Sequence, residues 1–112
     1  MAYTAVKPLK LWLDDERTPP DRGWVWVDNA AHAILILKSF RVTELSLDHD
    51  LGDELVFGNG NDVLVWVEEQ VHTNMDYIPP LMYIHTQNAA AMQKMILGVK
   101  AIQKTYLHRR RE

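Results

Sequence analysis

Apolar residues follow two rhythms along this chain. Short continuous or alternating runs read as strands, and longer stretches with apolar residues three and four apart read as helices. Leu9-Lys10-Leu11-Trp12-Leu13 is a short run that ends in Asp14-Asp15 and predicts a buried strand. Thr18 to Gly23 holds a proline pair and a glycine, which cannot sustain a helix, and reads as a loop. Trp24-Val25-Trp26-Val27 is aromatic and β-branched and predicts a second strand. Asp28 or Asn29 is placed to cap a helix with Ala30, Ala33, Ile34, Leu37 and Phe40 on one face. Val42 to Leu47 predicts a third strand, reaching Asp48.

Gly52 to Gly60 reads as a polar, glycine-bearing loop. Asn61 or Asp62 is expected to cap a second helix, with Val63, Val67 and Val71 four apart. Asn74 to Pro80 reads as another loop, and Leu81-Met82-Tyr83-Ile84 as a fourth strand ending at His85. Asn88 suits the cap of a last helix, whose stripe is Met92, Met95, Ile96, Val99, Ile102 and Tyr106. Arg109 to Arg111 close that helix, where cations suit its dipole, and read as a solvated end. Strands alternating with helices imply an α/β sandwich with a mainly parallel sheet.

Composition narrows the classes. The chain has 112 residues, enough for one compact domain over 1–112. Its 47% hydrophobic content is sufficient for a core without staples. There is no cysteine, so disulfides and thiolate chemistry are excluded, and a cytoplasmic setting is expected. A formal net charge of −3 does not advertise nucleic-acid binding. No apolar run is long enough for a membrane span, and "MAYTAVKPLK" lacks the apolar core of a signal peptide.

The chemistry is expected where the strands end. Ligands of parallel sheets bind beyond the carboxyl ends of the strands. Here the first strand delivers Asp14 and Asp15, the third Asp48 and Asp50, and the fourth His85, Thr86 and Asn88. Carboxylates brought so close repel one another unless some are protonated or a cation sits among them. All-oxygen ligation suits Mg²⁺, Mn²⁺ or Ca²⁺, and His49 or His85 would widen the choice toward a transition metal. Amides near Asn88 could hold a phosphate oxygen, so phosphoester chemistry is the first reading. The tryptophans at 12, 24, 26 and 66 read as core or edge packing, with Trp24 the one to check for exposure. His32 and His72 read as helix-surface residues and His108 as part of a cationic helix end.

Several phosphoester motifs almost fit. Asp48-His49-Asp50 contains the D-x-D of haloacid-dehalogenase phosphatases, but after the wrong strand and in too short a chain. His49-Asp50 resembles the dyad of HD phosphohydrolases, which are helical. His72-Thr73 and His85-Thr86 lack the spacer of two-histidine phosphoesterases. A Toprim-like metal-dependent phosphodiesterase would use Glu16 as its acid, but Arg17 stands where its glycine belongs.

One family is resembled along nearly the whole chain. "LWLDDERTPPDRGW", "SLDHDLG", "GNGNDVLVWV" and "IHTQN" resemble, in order, the motifs of the cyclic-phosphate processing receiver domain, a divergent relative of the response-regulator receiver. That family typically has a serine where this chain has Thr86. The resemblance implies a small flavodoxin- or receiver-like three-layer sandwich. Its four-stranded sheet would have the order 2-1-3-4, with the first crossover helix replaced by the Pro-Pro loop. Asp14 and Asp15 would match the acidic metal pair of receivers, Asp48 the phosphorylated aspartate, and Thr86 the hydroxyl residue after the fourth strand. The fifth strand and its lysine are missing, while His49, Asp50 and His85 are added. Acid/base groups in place of a switch lysine favour catalysis over signalling.

The expectation is therefore a metal-dependent phosphoesterase acting on a cyclic phosphate of an RNA end or nucleotide, in RNA repair or in phage or bacterial conflict. Asp14, Asp15 and Asp48 would hold Mg²⁺ or Mn²⁺. Asp50 would complete the shell or orient a water, and His85 or His49 would be the general acid/base. Arg17, Thr86 and Asn88 would hold phosphate. The rival is a non-enzymatic receiver-like module that binds Mg²⁺ or a nucleotide. An exposed edge strand or a patch at Trp24 would suit a homodimer.

Overall fold

The computed structural model describes residues 7–110. Four strands form one parallel sheet: β1 (Leu9–Leu13), β2 (Trp24–Val27), β3 (Val42–Leu47) and β4 (Leu81–Ile84), in the order β2-β1-β3-β4. The helices are α1 (Ala30–Ser39), α2 (Glu54–Phe57), α3 (Gly60–Thr73) and α4 (Ala89–Arg110). No helix among the described residues is long and apolar enough to cross a membrane.

The connections decide which face each helix covers. Passing from β2 to β3 and from β3 to β4 moves across the sheet in one direction, and right-handed crossovers then put the intervening helices on one face. α1 packs on α3 and α3 on α4, as a single row. Leu11, Leu13, Val27, Leu45 and Leu47 point at this row and join Ala33, Leu37, Val63, Val67, Met95 and Ile102 in one core. The step from β1 to β2 runs the other way, so its connection crosses the opposite face. That connection, Asp14 to Gly23, contains no helix. It lies over Trp12, whose Nε1 donates to the Arg17 carbonyl at 2.8 Å. The third layer of the expected sandwich is thus this Pro-Pro loop, and helices cover only one face among the described residues.

Local details depart from the sequence reading in four places. The loop from Gly52 to Gly60 contains α2, capped by Asp53 through the Leu55 N–H. α3 starts earlier than Asn61: Asn59 is its cap, and Asp62 closes a reciprocal capping box with the Asn59 N–H. In α4, Met95, Val99 and Ile102 are buried as expected, but Ile96 is exposed. Arg109 is no solvated end: its guanidinium donates to the carbonyls of Val71, Asn74 and Tyr77 and ties α4 to the end of α3 and the loop before β4. Arg111 lies outside the described residues. Of the two candidates for α1, Asn29 is the cap.

Arg109→Ala is expected to destabilise the fold by about 2 kcal/mol, since it strands three carbonyls that a charged donor satisfies. Urea denaturation checks this. Arg109→Lys should recover little, because an ammonium lacks the planar fork.

Candidate functional site

The sheet ladder itself assembles the site. The ends of the strands are in register, with Leu13 beside Val27 and Leu47, and Leu47 beside Ile84. The hydrogen-bond ladder then continues one residue further. Asp14 N–H donates to Val27 O, Asp48 N–H to Leu13 O and His85 N–H to Leu47 O, at 3.1, 3.0 and 3.0 Å. Asp14, Asp48 and His85 are therefore held side by side by backbone.

Asp14, Asp15 and Asp48 each offer a carboxylate oxygen, and these lie within 4.8 Å of one another. Asp14 is 1% exposed. A buried carboxylate must be compensated, and three donors do so. Glu16 N–H and Arg17 N–H both donate to Oδ1 at 2.8 Å. His85 Nε2 lies 3.1 Å from Oδ2. The acidic cluster could hold a metal: its donors are all carboxylate oxygens, which fits a hard cation such as Mg²⁺ or Mn²⁺.

His85 is clamped at both ring nitrogens. Burial pushes its pKa below the ordinary 6.5, against the pull of Asp14. A neutral ring facing a carboxylate must present its N–H there, so Nε2 donates to Asp14. Nδ1 is then an acceptor and takes the Ser46 hydroxyl at 2.7 Å. The ring stacks on Trp12, with centroids 3.9 Å apart and planes 6° from parallel. A ¹⁵N titration of the His85 ring should show a midpoint below 6.5. Because the folded pKa is lowered, the stability carried by the neutral ring is full above the unfolded pKa and lost as pH falls. Ser46→Ala should weaken this clamp without altering the sheet.

His49 and Asp50 form a second pair. His49 Nδ1 is 2.7 Å from Asp50 Oδ1, and this hydrogen bond is the first cause holding the Asp50 pKa below its ordinary value. Asp50 is thereby ionised, His49 donates to it through Nδ1, and His49 Nε2 has no protein partner among the described residues. Asn88 Nδ2 reaches Asp50 Oδ2 at 3.4 Å. Asn88 also caps α4, its Oδ1 accepting the Ala91 N–H at 3.1 Å. Thr86 is buried and accepts the Asn88 N–H at its hydroxyl oxygen, which leaves the hydroxyl hydrogen available to an acceptor.

Between these groups lies a cavity of about 300 Å³ lined by Asp14, Asp15, Glu16, Arg17, Asp48, Asp50, Gly52, Thr86 and Gln87. Among the described residues Arg17 is the one cationic side chain in that lining, and its Nη1 donates to the His85 carbonyl at 3.0 Å. The cavity thus brings together Asp14, Asp15, Arg17, Asp48, Asp50 and Thr86. His85, His49 and Asn88 stand behind that wall, touching Asp14 and Asp50.

The sequence reading did not single out Ser46 or Gln87. Ser46 had a signal: it is the polar residue of β3 between two buried leucines, opposite in facing to both. Gln87 had none, being a polar residue in a turn. The surface histidines His32, His72 and His108 are exposed, as read. Trp12 is packed, but Trp26 is 46% exposed and departs from the packing reading. Trp24 is partly exposed, edge-on to Trp12 at 5.7 Å and covered by Lys10.

No curated protein and no solved structure gives a significant match to this chain. A family model does match: the cyclic-phosphate processing receiver domain covers residues 9–101, from the first residue of β1 into α4. That span contains every strand, the whole cavity lining and both histidine pairs, and the chain belongs to the cyclic-phosphate processing receiver domain family.

Proposed function

We propose that this chain is a metal-dependent phosphoesterase that opens a cyclic phosphate on an RNA end or a nucleotide. The observation that carries the reading is the convergence of three carboxylates within 4.8 Å on a cavity that also holds Arg17, Thr86 and Asp50. Asp14, Asp15 and Asp48 would hold Mg²⁺ or Mn²⁺. Such an ion, when bound, polarises the phosphoryl group and supplies charge to its oxygens.

The chain's own groups divide the remaining work. Arg17 has guanidinium N–H groups beyond the one on the His85 carbonyl, and they suit an anionic phosphate oxygen. The Thr86 hydroxyl donates to another oxygen. Asp50, ionised and on the cavity wall, orients the attacking water, and the His49–Asp50 pair takes up its proton. The pair returns that proton to the departing ring oxygen. One P–O bond forms to water, one P–O bond of the ring breaks, and the product is a phosphomonoester with a freed hydroxyl.

His85 takes a different role from the acid/base one first expected. With both ring nitrogens engaged by Ser46 and Asp14, it is a positioning residue for the Asp14 carboxylate. The receiver-like alternative, phosphorylation of Asp48, has less support because no lysine lines the cavity among the described residues.

The test is incubation with Mg²⁺ or Mn²⁺ and an oligoribonucleotide ending in a 2′,3′-cyclic phosphate, with cyclic mononucleotides alongside. Ring opening that stops on chelation supports the proposal. No turnover of either substrate, together with acetyl-phosphate labelling of Asp48, would instead establish the receiver reading.

A further inference from the structure

Trp26 has a position that sheet packing does not require. It lies on the edge strand β2, on the face that carries no helix, and is 46% exposed. Its one polar atom is engaged: Nε1 donates to the Asp14 carbonyl at 2.7 Å. With Nε1 so engaged, what the ring has left to offer a ligand is aromatic carbon. The hydrogen bond also fixes the ring on the main chain of the very residue whose side chain enters the acidic cluster.

A small phosphorylated substrate would gain nothing from such a surface. A nucleotide would. Its phosphate is drawn to the cavity, where Arg17 offers a cation beside the carboxylate cluster. Its base then needs a flat apolar partner within the length of one nucleotide. A π-face held rigidly against the Asp14 backbone meets that need, and stacking on indole accepts any base. Immobilisation in advance also spares the ordering cost of a mobile side chain.

We propose that the exposed indole of Trp26 is the base-stacking platform of this site, and that its ligand is a nucleoside phosphate. The inference rests on the phosphate-site reading above, but it concerns binding and is testable without turnover. Affinities are read by calorimetric titration of the native chain and of each variant, and in the native chain the reporter of the contact is the Trp26 indole N–H resonance, assigned by its loss in Trp26→Phe. It is followed in the full chain with Mg²⁺ present, as adenosine monophosphate, ribose 5-phosphate or inorganic phosphate is added.

Adenosine monophosphate should shift this resonance and bind about tenfold or more tightly than ribose 5-phosphate. Trp26→Ala should remove that margin, while Trp26→Phe, which keeps a stacking ring, should retain part of it. A thermal melt of each variant separates lost stacking from lost folding. Equal affinity for the nucleotide and for ribose 5-phosphate in the native chain would overturn the proposal, as would a well-folded Trp26→Ala with nucleotide affinity unchanged. The two readings fail separately. Base-dependent binding without ring opening would sink the phosphoesterase and leave the platform. Ring opening with the same KM in Trp26→Ala would do the reverse.

Discussion

Asp48→Asn is expected to bind Mn²⁺ at least about tenfold more weakly than the native chain, because one charge is removed from a cluster whose oxygens lie within 4.8 Å of one another. Calorimetric titration reads this directly. Turnover of a cyclic phosphate should fall by roughly a hundredfold or more, since electrostatic stabilisation is commonly the largest single contribution to such catalysis. The substitution is nearly isosteric, and the Asn carbonyl oxygen can still accept the His49 N–H that Asp48 Oδ1 accepts at 2.8 Å. The fold should survive, and relief of repulsion among the carboxylates should give a small rise in melting temperature rather than a fall. Native-like Mn²⁺ affinity in Asp48→Asn would show that the cation is held elsewhere.

Gly60→Ala should do comparable damage by a different route. A Cβ at Gly60 would lie 1.9 Å from the Asp48 carbonyl oxygen and 2.9 Å from Met95 Cε. The side chain of Met95 can move, but the Asp48 backbone is held by the sheet ladder through Leu13. The Gly60 N–H also donates to the His49 carbonyl at 3.0 Å, and Asp50 pairs with Asn59, so this contact closes the loop that carries α2. The added methyl must push α3 away from the strand end or drag Asp48 out of the cluster. The expected cost is about 3 kcal/mol or more. A variant that still folds should show weakened Mn²⁺ binding, although position 60 carries no ligand atom. Native stability and native Mn²⁺ affinity together would mean that the strand end and α3 are not packed as closely as described.

Much of the architecture was legible because it rests on near neighbours. Strand runs such as Leu9 to Leu13 and the three-and-four spacing around Val63, Val67 and Val71 are set by which side chains share a face. The misread places have separate causes. Asn59, Asn61 and Asp62 are all competent caps within "GNGND", and the choice fell to Asn59 because its extended backbone lets its side chain receive the Asp62 N–H. α2 is too short for any periodicity to announce it. Arg109 looked like a solvated end because its three carbonyl partners lie 32 to 38 residues away.

The same division runs through the candidate site. That acids and a histidine terminate strands could be read from the chain, and the family match spans all of those positions. Their roles could not. His85 and Asp14 are 71 residues apart, and His85 and Ser46 are 39 apart. Whether the imidazole opens into the cavity or is clamped behind it depends on strand order, on register and on the ring of Trp12 beneath it. The exposure of Trp26 depends likewise on which face the helices leave bare, which follows from crossover handedness across the whole sheet. Local patterning selects which residues stand at the strand ends, because it acts through neighbours two to four positions apart. Long-range backbone pairing selects which of them face one another, because no short-range preference specifies the partner strand.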